Sequence, residues 1–134
     1  MNFWNRPPNK SGVLIMMMMM TESLTTEMQN CINATTECHK ICLETMTYCM
    51  SQGGKYMSAS LISAMRDCSE FCMICTNMLI SGSLSAGKTC ALCAEICDRC
   101  ALACESISTD KKMIGCASAC RNCAEACRGV KVGV

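Results

Sequence analysis

The chain has few of the residues that usually fix the fold or the chemistry of a small protein. Aromatic residues make up 4% of its 134 residues, histidine occurs once, and both prolines fall within the first eight positions. With so few rings, the core must consist mainly of aliphatic and sulfur-bearing side chains. The absence of later prolines permits long helices. A net charge of +1 provides no basic field for binding nucleic acid or a membrane surface.

Catalytic motifs are also lacking. No spacing singles out a Cys–His–acid constellation around the single histidine, and there is no phosphate-binding glycine loop. We therefore predict that the chain is not an enzyme.

The first twenty residues lack a complete export signal. Basic residues and an apolar run at positions 12–20 are present, but no Ala-x-Ala site follows them and there is no twin-arginine pair. The apolar run is too short to span a bilayer. We predict an N-terminal extension at residues 1–20, one domain at residues 21–130 and a tail at 131–134. We also predict a cytoplasmic location without membrane association.

Sulfur is what the chain has in abundance, with sixteen cysteines and fourteen methionines. The cysteines recur mostly at steps of three, four and seven residues, which is the spacing of one face of an α-helix. Breaks rich in glycine or serine at 51–54 and 81–83, and a weaker one at 106–112, separate four such segments. We predict an all-α, antiparallel up-down-up-down four-helix bundle with a cysteine-lined core.

These thiols are candidate metal ligands. Cysteine in place of leucine weakens a core by on the order of 1 kcal/mol or more per site, and bound metal would offset that loss. Thiolate is a soft ligand that selects Cu(I), Zn(II) or iron–sulfur clusters. Continuous stripes of bridging thiolates suit a chain of Cu(I) ions, on the order of one per thiol. The candidate ligands are Cys31, Cys38, Cys42, Cys49, Cys68, Cys72, Cys75, Cys90, Cys93, Cys97, Cys100, Cys104, Cys116, Cys120, Cys123 and Cys127.

The abundance of cysteine has four other possible explanations. Buried cysteine can serve as a small hydrophobe, but this does not explain sixteen thiols on inward faces. Disulfide-stapled helical hairpins need one pair of cysteines per helix, fewer than are present here. Bacterial ferredoxin motifs end in Cys-Pro, and no cysteine of this chain precedes a proline. A general thiolate buffer for zinc or cadmium remains the main alternative, with an iron–sulfur electron-transfer protein behind it.

Two cysteine-rich segments resemble a known family. Cys90-Ala-Leu-Cys-Ala-Glu-Ile-Cys97 and Cys116-Ala-Ser-Ala-Cys-Arg-Asn-Cys-Ala-Glu-Ala-Cys127 look like the bacterial copper storage proteins, over about residues 22–129. The resemblance implies a bundle that stores many Cu(I) ions for copper homeostasis and detoxification. It also implies a homotetramer that exchanges copper with donor or acceptor proteins. The missing export signal suits the cytosolic branch.

Methionines suggest where metal enters the bundle. In an antiparallel bundle, the end of the first helix lies beside the start of the second and of the fourth. Methionine is a neutral soft ligand suited to transient capture, although it also fills gaps in cores. Family members use His and Met at one open end, which implies the same role for His39. The candidate residues for uptake are Met46, Met57, Met65, Met113 and His39.

Overall fold

The computed structural model describes Gly12 and residues 24–131, and within these residues it contains four α-helices and a short 3-10 helix. The helices are α1 (Thr26–Gln52), α2 (Ala59–Ser81), α3 (Ala86–Ile107) and α4 (Lys111–Arg128), with the 3-10 helix at Gly54–Met57. The predicted all-α fold is confirmed. Apart from Gly12, the predicted extension at 1–20 lies outside the described residues, as do positions 132–134.

Local sequence signals determine where the helices begin and end. The Thr25 hydroxyl accepts a 3.1 Å hydrogen bond from the backbone N–H of Met28 at the start of α1. Asp110 caps α4 in the same way, since short polar side chains satisfy the free N–H groups of a first turn. Gly53 and Gly82 follow α1 and α2 with φ of 69° and 68°, a region that glycine enters without a steric penalty.

Each helix packs against two neighbours, and α4 closes the ring by packing against α1. Contacts between α1 and α4 run in opposite directions along the two helices, from Cys31 beside Cys127 to Cys49 beside Met113. The contact of Cys38 with Cys68 between α1 and α2 fits the same arrangement. The bundle is therefore antiparallel and up-down-up-down, as predicted.

Small side chains fill much of the space around the core cysteines. Ala94 and Ala101 on α3 and Ala117 and Ala124 on α4 are at most 3% exposed. Alanine and cysteine both occupy little volume, so the α3 and α4 backbones can approach closely. The sequence alternates these two residues along both helices, and this alternation gives a narrow core.

The outer face is polar and carries a few exposed ion pairs. Arg121 donates two 2.9 Å hydrogen bonds to Glu105 across the α3–α4 groove, and Arg128 bonds Asp98 in the same groove. Such exposed pairs contribute little stability. None of the helices in the described residues combines the length and apolarity that a membrane span requires.

Candidate metal centre

Every cysteine of the chain lies in the interior of the bundle, because the steps of three and four keep each stripe on the inward face. Fourteen of the sixteen are 0% exposed, and the other two, Cys90 and Cys127, are 1% and 2% exposed. No disulfide joins them. The structure therefore gathers all the candidate ligands into one compartment of free thiols.

The sulfurs form five clusters in which all Sγ atoms lie within 4.8 Å of one another. The three clusters of four are Cys38, Cys72, Cys97 and Cys123; Cys38, Cys42, Cys68 and Cys120; and Cys42, Cys100, Cys116 and Cys120. The two clusters of three are Cys31, Cys75 and Cys90; and Cys75, Cys93 and Cys127. Together they include every cysteine except Cys49 and Cys104.

The clusters are continuous because they share sulfurs. Cys38 belongs to two of the clusters of four, and Cys75 belongs to both clusters of three. Cys93 joins the two sets, since its sulfur lies 3.9 Å from those of Cys72 and Cys97. A metal-bridging thiolate needs contact with two sites at once, and these shared positions provide it.

The sulfur spacing fits metal–thiolate bonds. With a bond of about 2.3 Å, two sulfurs lie about 4.0 Å apart around a trigonal ion and about 4.6 Å apart around a linear one. The Sγ atoms of Cys38 and Cys68 are 3.6 Å apart, and those of Cys42 and Cys116 are 4.0 Å apart. Small shifts of side chains therefore suffice to close either geometry.

The sulfurs at one end of the bundle are arranged in pairs. We call it the pair end, and it is defined by Cys31, Cys75, Cys90 and Cys127. Cys75 and Cys90 bring α2 and α3 together with Sγ atoms 3.2 Å apart, and Cys31 and Cys127 bring α1 and α4 together at 3.5 Å. Some central thiols have more sulfur contacts, and Cys38 contacts three other sulfurs within 4.0 Å.

The opposite end, here called the methionine end, is defined by Cys49, Met65 and Met113. The Cys49 thiol donates to the Met113 thioether at 3.8 Å, and the side chains of Met65 and Met113 are 0% exposed. Met57 in the 3-10 helix is 43% exposed, and Met46 is half-buried against the core. Buried and exposed thioethers therefore occur together on this side of the molecule.

His39 lies elsewhere, halfway along α1. Its Nδ1 is 2.8 Å from the backbone carbonyl oxygen of Ser69 on α2. The structure thus places His39 on the α1–α2 seam and not with the methionines.

A polar group that the sequence did not reveal holds the methionine end together. The Asp110 carboxylate accepts hydrogen bonds from the hydroxyls of Tyr56, Tyr48 and Ser108 at 2.5, 3.1 and 3.1 Å. It also accepts a 2.9 Å hydrogen bond from the backbone N–H of Met113. These bonds, the one from Tyr56 foremost, lower the pKa of Asp110 to about 2. One carboxylate thus ties together the end of α1, the 3-10 helix and the start of α4.

The thiols influence each other's ionisation. The neighbouring thiols of Cys31 and Cys75 lower the pKa of Cys90, because thiols that donate toward a thiolate stabilise it. The neighbouring thiols of Cys127, Cys31 and Cys90 raise the pKa of Cys75. At the methionine end, burial raises the pKa of Cys49, and the neighbouring Cys116 and Asp110 raise it further.

Thr35 is a buried polar residue on the cysteine face of α1. Thr35 is 0% exposed and lies between Cys31 and Cys38 on the cysteine face. Its hydroxyl lies 2.8 Å from the carbonyl oxygen of Cys31 and 2.5 Å from the hydroxyl of Thr76 on α2. Thr35 lies four residues after Cys31, and this helical spacing alone predicts that it shares the inward face.

Fold and site together define a class of protein, a four-helix bundle that lines its interior with thiols for soft metal ions. The sequence model of the copper storage protein family matches residues 24–132. The chain therefore belongs to the copper storage protein family, which confirms the resemblance found in the sequence.

Individual proteins of known sequence or structure are similar to this chain. A crystal structure from Nitrosospira multiformis is 41% identical, with a TM-score of 0.71 over 76% of this chain and 92% of that one. The Cu(I)-bound copper storage protein BsCsp3 is 30% identical, with a TM-score of 0.72 over 77% of this chain and 96% of that one. The cysteine-rich protein YhjQ of Bacillus subtilis is 32% identical over 74 residues, which are 55% of this chain and 68% of that protein.

Proposed function

We propose that this protein stores many Cu(I) ions on the thiolates of its core, and thereby serves copper homeostasis and detoxification. The observation that carries this proposal is the continuity of the five sulfur clusters through Cys38, Cys75 and Cys93. A row of overlapping sites suits many ions held by bridging thiolates, and it exceeds what one structural ion needs. The protein acts by sequestration, without catalytic turnover.

Charge balance favours Cu(I) over a divalent ion. The buried polar side chains of the described residues are threonines and a serine, with no lysine, arginine or histidine among them. Uncompensated charge in such a core is costly. Sixteen thiolates taken four to an ion would bind four zinc ions, whose eight positive charges leave eight negative charges unbalanced. Cu(I) at about one ion per thiolate leaves the core neutral.

We infer that copper enters at the methionine end. Met57 offers an exposed thioether, while Met65 and Met113 lie further inside, and Met113 contacts the thiol of Cys49. Thioethers are neutral and bind Cu(I) without releasing a proton. An ion can therefore pass from exposed to buried sulfur and then to thiolate. His39 on the α1–α2 seam belongs to a separate location, and we assign this route to the methionines.

We also propose a cellular location and an oligomeric state for the protein. Sixteen free thiols suit a reducing compartment, which supports a cytoplasmic location. Exposed apolar side chains on α2, among them Met73 and Ile80 at 47% and 52% exposure, support self-association, and we propose a homotetramer. Soluble copper donors and acceptors would exchange metal with it. Cell fractionation tests the location, and sedimentation of the purified protein tests the oligomeric state.

The central test is anaerobic titration of the reduced protein with Cu(I) against a competing chelator. Storage predicts on the order of ten or more tightly bound ions per chain. Saturation at one or two ions would refute storage. A parallel titration with Zn(II) distinguishes copper storage from a general thiolate buffer, which would bind zinc at comparable strength. Visible absorption of the protein as purified tests the iron–sulfur alternative, because such clusters are coloured and Cu(I) thiolates are not.

A further inference from the structure

The cysteines at the pair end make their short sulfur contacts in two couples. Each of Cys31, Cys75, Cys90 and Cys127 makes a single thiol–thiol hydrogen bond among the described residues, to one partner on a neighbouring helix. A central thiol such as Cys68 makes three such bonds. The pair-end sulfurs therefore form two couples, Cys75 with Cys90 and Cys31 with Cys127, within the two overlapping clusters of three.

These two couples have short sulfur–sulfur distances. Their Sγ atoms are 3.2 and 3.5 Å apart, against 3.6 to 4.0 Å for the thiol contacts in the centre. A disulfide bond is about 2.05 Å long. Each couple therefore needs its sulfurs to move about 1.2 to 1.5 Å closer.

The pair end is also the part of the thiol core that lies nearest solvent. Cys90 and Cys127 are the two cysteines with any exposed surface, at 1% and 2%. Cys90 lies in the second turn of α3, and Cys127 is the second-to-last residue of α4. Helix ends open locally far more readily than helix centres. Local opening of these helix ends therefore gives small reagents access to these two thiols.

We propose that the pair end is a redox-sensitive release site, at which a small disulfide converts Cys75–Cys90 and Cys31–Cys127 into protein disulfides. The Cys90 thiolate attacks one sulfur of the small disulfide and expels a thiolate, which takes up the proton that Cys90 lost. The Cys75 sulfur then attacks the mixed disulfide, gives up its proton and expels the second small thiol. Two protein thiols are oxidised by two electrons while one small disulfide is reduced to two thiols.

The release half of this proposal rests on the proposed Cu(I) storage, whereas disulfide formation does not. Ions held by these four cysteines would lose their ligands when the disulfides form. The two small thiols formed at each couple are themselves soft ligands that can carry Cu(I) away. The central clusters keep their thiols and their copper. Oxidation would thus release a defined fraction of the load from one end.

Disulfide mapping of the metal-free protein tests the first half. The full chain is reduced, freed of metal and incubated with glutathione disulfide, and samples are analysed over time by mass spectrometry of tryptic peptides. We expect cross-links joining Cys75 to Cys90 and Cys31 to Cys127, with two thiols lost per couple, before any cross-link in the centre. First cross-links among Cys38, Cys68 and Cys120 would overturn the proposal, as would a random mixture.

Matched variants and copper retention test the second half. C75S removes one couple, and C68S is the control because Cys68 lies in the centre; circular dichroism verifies that both variants are helical. After anaerobic loading with Cu(I), glutathione disulfide should release a fraction of the copper from the wild type and from C68S, and less from C75S. Equal release from C75S and C68S would overturn the proposal. A reduced wild type that retains no copper before oxidation would instead refute storage itself.

Discussion

Tyr56 donates a 2.5 Å hydrogen bond to Oδ2 of Asp110, 54 residues further along the chain. This bond fastens the 3-10 helix at Gly54–Met57 across the methionine end, where Asp110 also caps α4. Gly53 and Gly54, with φ of 69° and 56°, provide the sharp turn that brings Tyr56 into position. The segment between α1 and α2 therefore covers the end of the bundle at which we propose that copper enters.

Loss of the Tyr56 hydroxyl should loosen this cover. We expect Y56F to lower the melting temperature of the metal-free protein and to accelerate Cu(I) uptake, because the hydroxyl is removed and the ring is kept. Y48F is the matched control, with a smaller effect on both, since its bond to Asp110 is 3.1 Å. Thermal unfolding by circular dichroism and stopped-flow uptake measure the two quantities. An uptake rate equal to that of wild type in Y56F would contradict the role as a cover.

The same carboxylate sets a pH dependence of stability at low pH. Hydrogen bonds, the one from Tyr56 first, hold the pKa of Asp110 at about 2, below the usual value of about 3.9. Because the folded pKa is depressed, the stabilisation is complete above about pH 4 and is lost as pH falls toward about 2. Unfolding of the metal-free protein at several pH values measures this, and D110N should flatten the profile. A wild-type stability that does not change over this interval would contradict it.

Tyr48 makes stability depend on pH in the opposite direction, so that stability falls as pH rises. Burial and the neighbouring Asp110 raise its pKa to about 12, from about 10 in an unfolded chain. Since the folded pKa is raised, the stabilisation is complete below about pH 10 and is lost as pH rises toward about 12. An ultraviolet titration of tyrosinate absorbance follows Tyr48 directly. Y48F should remove the late-titrating component, and an unchanged curve would show that another tyrosine produces it.

The bundle should fold without metal, because leucines close both ends of the thiol core. Leu61 and Leu79 are each 1% exposed, and L61A should cost about 2–5 kcal/mol of unfolding free energy through the cavity it leaves. Leu102 is 60% exposed, so L102A should change stability by about 0.5 kcal/mol or less. Urea unfolding of the metal-free variants gives both values. A coil-like circular dichroism spectrum of the metal-free wild type would refute a preformed bundle.

The role of Met113 in copper capture can be measured separately from its contribution to core packing. M113L keeps the volume of a side chain that is 0% exposed, so its effect on stability should stay below about 1.5 kcal/mol. It removes the thioether 3.8 Å from the Cys49 thiol and should slow the earliest phase of Cu(I) uptake without lowering the final capacity. M73L, on the exposed face of α2, is the control. Equal rates in the two variants would exclude Met113 from the route.

The sequence predicted the inward faces of the helices well and the partners of individual side chains poorly. The stripe through Cys31, Cys38, Cys42 and Cys49 follows from helical periodicity alone, and the structure buries all four. Thr35 shares that stripe and was missed, because a threonine carries no signal of its own among so many thiols. The partners of Thr35 and His39, on α2, depend on how α1 is rotated against it, which no local pattern encodes.

The grouping of tyrosines around Asp110 shows the same limit. The capping bond of Asp110 is local, since it accepts from the backbone N–H of Met113 three residues further on. Its bonds with Tyr48 and Tyr56 span 62 and 54 residues and exist only once α1, the 3-10 helix and α4 meet. Likewise, the sulfur distance of 3.2 Å between Cys75 and Cys90 is set by the relative shift of α2 and α3.

The buried alanines of α3 and α4 have a consequence for metal choice. Ala94, Ala101, Ala117 and Ala124 are not ligands, yet their small size sets the diameter of the bundle and thereby the span between sulfurs across it. A larger residue such as valine at Ala101 would push the helices apart and stretch a three-sulfur site toward a two-sulfur one. The core would then favour metal ions that bind two sulfurs in linear coordination. Residues that do not bind the metal therefore help to determine the distance between the sulfurs that do.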